Sequence, residues 1–104
     1  MEVNFDKQIL ALHVAMVDKL LANPSLIEQV KEQLEQRNQA GQIRYSEYIN
    51  WFSILDLFEQ PEAFKKEVLQ DTPFMRKCRR NTPLVGIITE SERQEALNSH
   101  AIKL

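Results

Sequence analysis

The chain has 104 residues, of which 43% are hydrophobic and 27% charged, and a net charge of −2. This fits one globular domain and excludes the low-hydrophobicity, high-charge signature of disorder. Two glycines and four prolines exclude collagen-like or linker-rich architectures, and a mild negative balance is opposite in sign to that of a whole-domain nucleic-acid binder.

The first predicted element is a helix over 4–22. Phe5, Ile9, Leu12, His13, Met16 and Leu20 recur at three- and four-residue steps, the period of one helix face. Asn4 or Asp6 is its candidate cap, and Asn23-Pro24 ends it, because a residue before proline avoids helical geometry. A second helix is expected over 25–39. Ser25-Leu26-Ile27-Glu28 has the spacing of a capping box, and the thin stripe Leu26, Ile27, Val30, Leu34 places this helix at the surface. Gly41 suits a C-terminal cap.

Residues 45–59 are the most apolar stretch. Tyr45, Tyr48, Ile49, Trp51, Phe52, Ile54, Leu55, Leu57 and Phe58 nearly encircle a helix, with Ser46 as N-cap, which predicts the central element of the fold. Pro61 opens a short helix over 61–70 with Ala63, Phe64, Val68 and Leu69 inward. Thr72-Pro73 repeats the device for a helix to about Asn81. Thr82–Thr89 reads as the one extended segment. Thr89-Glu90-Ser91-Glu92 is a second capping box opening a helix over about 90–99, and His100–Leu104 is expected to fray. The predicted fold is all-α: a single small bundle of five or six short helices over residues 1–104, with one extended segment near 82–89.

Charge is unevenly spread. Residues 1–60 hold nine acids and five bases, and residues 61–104 hold six acids and eight bases. Arg76, Lys77, Arg79 and Arg80 put four cations within five residues. They read either as an anion-facing surface or as a helix end whose cations complement the dipole. Leu84, Val85, Ile87 and Ile88 either seal the core or form an apolar arm for another protein. The aromatic group Tyr45, Tyr48, Trp51, Phe52 and Phe58 reads mostly as core, but its excess suggests that one ring, Tyr45, Tyr48 or Trp51, lies in an interface, where Tyr and Trp are enriched.

No reactive constellation emerges. His13, His100 and Cys78 lack the short spacing of a metal site, so neither metal nor cofactor is expected. Cys78 between Lys77 and Arg79 is read as a packing residue. An enzyme is the last alternative: it would need a buried carboxylate pair such as Asp56 and Glu59, which the sequence does not place. A lone cysteine precludes an internal disulfide and suggests a reducing, cytoplasmic setting. The longest apolar run falls well short of a membrane span, and the acidic start Met1–Asp6 does not resemble a signal peptide.

The segment Thr82-Pro83-Leu84-Val85-Gly86-Ile87-Ile88-Thr89-Glu90-Ser91-Glu92-Arg93 resembles the ending of small bacterial helical proteins associated with mobile elements and toxin–antitoxin gene pairs. Asn23-Pro24-Ser25-Leu26 and Trp51 are similar to their general layout. The resemblance implies a non-enzymatic antitoxin that masks a toxin, with Pro83, Gly86, Glu92 and Arg93 as the motif positions. In physical terms Pro83 fixes an extended entry, Gly86 permits a backbone conformation closed to other residues, and Thr89 with Glu92 caps the helix.

The functional expectation is therefore a protein-interaction module, most concretely an antitoxin, touching its partner through Arg76, Lys77, Arg79, Arg80, Pro83, Gly86, Glu92, Arg93 and Trp51. A homodimer is compatible with this reading, and a membrane partner is not expected. The alternative is a small autoregulatory DNA-binding protein that uses the basic helix over 73–81.

Overall fold

Prolines and polar caps set most of the helix starts. The structure, a computed structural model, describes residues 5–102, with side chains described for residues 5–99. It consists of α1 (Phe5–Ala22), a 3₁₀ turn (Pro24–Leu26), α2 (Ile27–Gln39), α3 (Tyr45–Leu55), α4 (Pro61–Val68), α5 (Pro73–Arg80) and α6 (Glu90–Ile102). Among the described residues there is no strand, so the all-α expectation holds. The candidate cap Asn4 lies outside the described residues.

Pro24, Pro61 and Pro73 each take the first position of a helical segment, where the missing N–H has no intrahelical partner to lose. Thr72 Oγ1 accepts the Met75 amide at 3.1 Å. The second capping box forms as expected: the Thr89 amide donates to Glu92 at 2.8 Å and the Glu92 amide to Thr89 Oγ1 at 3.1 Å. The first does not. The chain passes through a 3₁₀ turn at Pro24–Leu26, so α2 begins after Leu26 and Ser25 is not its N-cap. Ser46 likewise falls inside α3, whose N-cap is the extended Arg44 with no side-chain hydrogen bond.

Other helix ends also differ from the sequence reading: α4 stops at Val68 rather than 70. α3 stops at Leu55 rather than 59, and residues 56–60 form successive turns, with Leu57 N donating to Ile54 O at 3.0 Å and Gln60 N to Leu57 O at 2.8 Å. α6 continues to Ile102, through part of the tail expected to fray, and 103–104 lie outside the described residues. At the end of α2, Gln42 N donates to Arg37 O at 2.8 Å and Gly41 N to Asn38 O at 3.2 Å. This double return satisfies the last carbonyls and requires a left-handed residue, which Gly41 supplies at φ +69°.

The centre of the fold is α1, not the 45–59 helix. α1 packs against α4, α5 and α6, whereas α3 packs mainly on α2 and α4. The reason is the division of faces. α1 buries His13, Met16, Val17 and Leu20. α3 turns only Trp51, Ile54, Leu55 and the polar Glu47 inward. The buried apolar side chains form one cluster, to which α2 contributes Ile27, Val30 and Leu34, and α4 contributes Phe64 and Val68.

Residues 82–89 are not extended. They run in turns, with Ile87 N donating to Leu84 O at 3.4 Å and Gly86 at φ +86°. Leu84 and Ile87 are buried and Val85 is exposed, so the segment seals the core. α2 holds it in place: Gln33 Nε2 donates to Val85 O at 2.7 Å, and an Arg37 guanidinium nitrogen donates to Asn81 O at 3.0 Å and Thr82 O at 2.6 Å. No single helix among the described residues is long and apolar enough to cross a membrane.

Gly41 gives a direct test of the α2 terminus. No atom lies within 4 Å of a Cβ added there, so the cost of Gly41→Ala is purely conformational. The expected loss is about 1–2 kcal/mol, read as a lower urea midpoint with an unchanged m-value.

Candidate functional site

The basic helix α5 does not present a cationic face. Arg79 is buried, and one guanidinium nitrogen donates to Val68 O at 2.9 Å and Gln70 O at 2.7 Å. It thereby ties the end of α4 to α5. Burial lowers its pKa from the usual arginine value. Arg76 pairs with Asp71 at 2.8 Å and Arg80 with Asp6 at 2.7 Å. These guanidinium partners hold the Asp71 and Asp6 carboxyls below their usual range. Lys77 alone remains exposed on this helix without a partner among the described residues.

The motif positions near the C-terminus also serve the fold. Pro83 is fully buried, and Gly86 supplies a positive φ. Glu92 accepts from Lys19 Nζ at 2.6 Å besides capping α6, and so joins α6 to α1. Its carboxyl is held down to about 2 by Lys19 and by the Thr89 amide. Arg93 is half-exposed beside Glu90 at 3.4 Å. Trp51 is fully buried, its Nε1 donating to Cys78 O at 3.1 Å. Trp51, Arg79 and Pro83 therefore lie in the interior, where a partner does not reach their side chains.

Cys78 is buried, and burial pushes its thiol up, away from thiolate character. Asp56 and Glu59 are both exposed, so they do not form the buried carboxylate pair considered from sequence. Among the described residues, no group of three or more His, Cys, Asp or Glu side chains could hold a metal ion.

What the structure does bring together is an aromatic flank of α3. Tyr45, Tyr48, Ile49 and Phe52 follow the i, i+3, i+4, i+7 spacing of one helix side. Tyr45 is 74% exposed, Phe52 52% and Ile49 41%. The rings form a ladder, with Tyr45–Tyr48 centroids 6.4 Å apart and Tyr48–Phe52 6.1 Å apart. Tyr48 OH donates to Glu35 on α2 at 2.7 Å, which raises the phenol pKa. Beside the ladder, Leu34, Phe52 and Leu55 with Lys31, Glu35 and Asp56 line a groove of about 260 Å³ between α2 and α3. That is smaller than the roughly 300–1,000 Å³ of clefts that enclose small ligands. The sequence signalled a surplus of rings on this helix. It did not show which ring would be buried, because Trp51 takes the inward position through a bond to α5, 27 residues away.

His13 is an ionisable group buried against the ring of Trp51. Its Nδ1 lies 2.7 Å from Ile9 O, its Nε2 has no hydrogen-bond partner among the described residues, and its ring lies 6.4 Å from that of Trp51 at 21°. Burial drives its pKa down from 6.5 to about 4, against the Ile9 bond and with the Arg79 charge adding to the fall. The folded protein holds this ring neutral while the unfolded chain takes up a proton below 6.5. Stability is therefore full above pH 6.5 and falls as pH drops toward 4, by about 3 kcal/mol in all. Glu92 acts in a lower window, its contribution disappearing between pH 4.5 and 2. Urea titrations at several pH values should show the upper slope in the wild type and its loss in His13→Asn.

Arg79→Ala should lower stability by about 2–4 kcal/mol, because the Val68 and Gln70 carbonyls lose a charged donor. Lys77→Ala should change it by less than about 0.5 kcal/mol. Equal denaturation midpoints for the two variants would show that the buried clamp contributes nothing. No family model, curated protein or solved structure matches this chain.

Proposed function

We propose that this protein is a non-enzymatic interaction module that docks a partner protein through the Tyr45–Phe52 flank of α3. The observation that carries the reading is the exposure of Tyr45, Ile49 and Phe52 on successive turns of one helix. Scattered exposed apolar residues are normal on a folded surface, but a contiguous apolar patch marks an interaction site. Aromatic side chains are enriched at the centre of interfaces and supply much of the binding energy there.

The narrower form of this proposal is an antitoxin that masks the toxin of a neighbouring gene in a bacterial cytoplasm. Its support is the resemblance carried by residues 82–93. The contact surface moves from the basic helix to α3, because Arg76, Arg79 and Arg80 already hold internal partners. The same internal pairing leaves a DNA-binding regulator built on α5 with little free positive charge for phosphates.

Co-expression with the product of the adjacent reading frame, followed by pull-down, tests the proposal. Wild type should retain that product and relieve its toxicity. Ile49→Asp and Phe52→Asp should weaken retention at least tenfold, about 1.4 kcal/mol, with thermal midpoints close to wild type. Retention unaffected by either substitution, or recovery of wild type always alone, overturns the reading.

A further inference from the structure

Resting on α3 as the docking face, we infer that the α2–α3 groove receives a basic amphipathic helix from the partner protein. The floor of the groove is apolar (Leu34, Phe52, Leu55) and its volume is of side-chain size, suited to anchors rather than to a whole small molecule. The lining comes from the end of α3 (Phe52, Leu55, then Asp56) and one turn of α2 (Lys31, Leu34, Glu35), and the exposed Tyr45–Phe52 flank continues it along α3, whose 11 residues run about 16 Å, three turns of an apposed helix. Two neighbouring helices with an apolar trough between them are the receiving half of helix-in-groove recognition, in which anchors recur at i, i+3 or i+4, and i+7.

The charge around the trough specifies the flanks of the occupant. On α2, Glu28, Glu32 and Glu35 follow i, i+4, i+7 spacing, and Asp56 and Glu59 follow the end of α3. Against these five carboxylates stands Lys31, with Arg44 at the far end of α3. None of the five forms an ion pair among the described residues. Tyr48 OH fixes the Glu35 carboxylate at the rim from 2.7 Å. The cations of α5, by contrast, are largely neutralised in place. Of the five carboxylates, Glu35 and Asp56 line the groove against Lys31, and Glu28, Glu32 and Glu59 are exposed on the same two chain segments, so a complementary helix carries Lys or Arg beside its apolar anchors. The exposed rings of Tyr45 and Phe52 offer faces to such cations. A second copy of this chain is a poor occupant, because Arg76, Arg79 and Arg80 are already engaged and Lys77 alone is left on its basic helix.

Selection from a displayed library of helical peptides tests the inference, with apolar residues fixed at i, i+4 and i+7 and the other positions randomised, against the full chain. Enriched peptides should be net positive. Their affinity should fall at least tenfold on Asp56→Lys/Glu59→Lys, a variant that leaves the Tyr48–Glu35 bond intact, and should weaken with salt. Phe52→Asp should abolish binding. Neutral or acidic binders, or binders lost on Phe52→Asp yet indifferent to charge reversal, overturn the basic helix while leaving the α3 face standing. No binder sensitive to Phe52→Asp overturns both. A dimer in sedimentation equilibrium that Phe52→Asp dissolves assigns the groove to a second copy and overturns the inference.

Discussion

Trp51 sets the rotation of α3, and with it the character of the whole surface. Its indole is fully buried and its N–H is bonded to Cys78 O on α5. A buried indole N–H without an acceptor would cost roughly 1–3 kcal/mol, so the helix is held against turning about its own axis. At 100° per residue, the positions one side of Trp51 then carry Phe52, Tyr45 and Ile49 outward, with the half-buried Tyr48 between them and the core. The apolar arc of α3 is wider than the face the fold can cover. The uncovered part is contiguous because it belongs to a single rigid element.

Parts of this architecture were legible in residue order. Helix starts led by Pro61 and Pro73 emerged where expected, and so did the Thr89–Glu92 box. These signals are local: a fixed φ, or one side chain meeting an amide three residues away. Ser25 and Glu28 have the same spacing but did not form a box, because Pro24 begins a 3₁₀ turn that carries Ser25 past the cap position. The two sites differ in what precedes the helix, not in the motif.

The candidate site was less legible, for reasons of distance. The cluster at 76–80 looked like an exposed cationic surface because its partners follow no helical spacing: Asp71 is five residues before Arg76, outside α5. Asp6 is 74 residues from Arg80, and the Val68 carbonyl accepts from Arg79 around a turn. Pairing of this kind leaves no periodic trace. The aromatic surplus on α3 could be counted in the sequence, but its division into buried and exposed rings depended on α5 supplying an acceptor for Trp51. Ring count pointed to an interface without choosing among Tyr45, Tyr48 and Trp51. The structure leaves the two tyrosines on the outer flank and takes the tryptophan inside.

The clamp between α2 and the turn at 81–85 carries a consequence for sequence drift. Gln33 and Arg37 grip the turn chiefly through main-chain oxygens of Asn81, Thr82 and Val85. Every amino acid offers that oxygen. The exposed Val85 can therefore exchange for many other residues without loosening the grip, whereas neither Gln33 nor Arg37 can shorten. Variation accumulating at the turn's outer tip would leave its anchorage untouched, so a stretch that looks variable on paper can keep one shape in space.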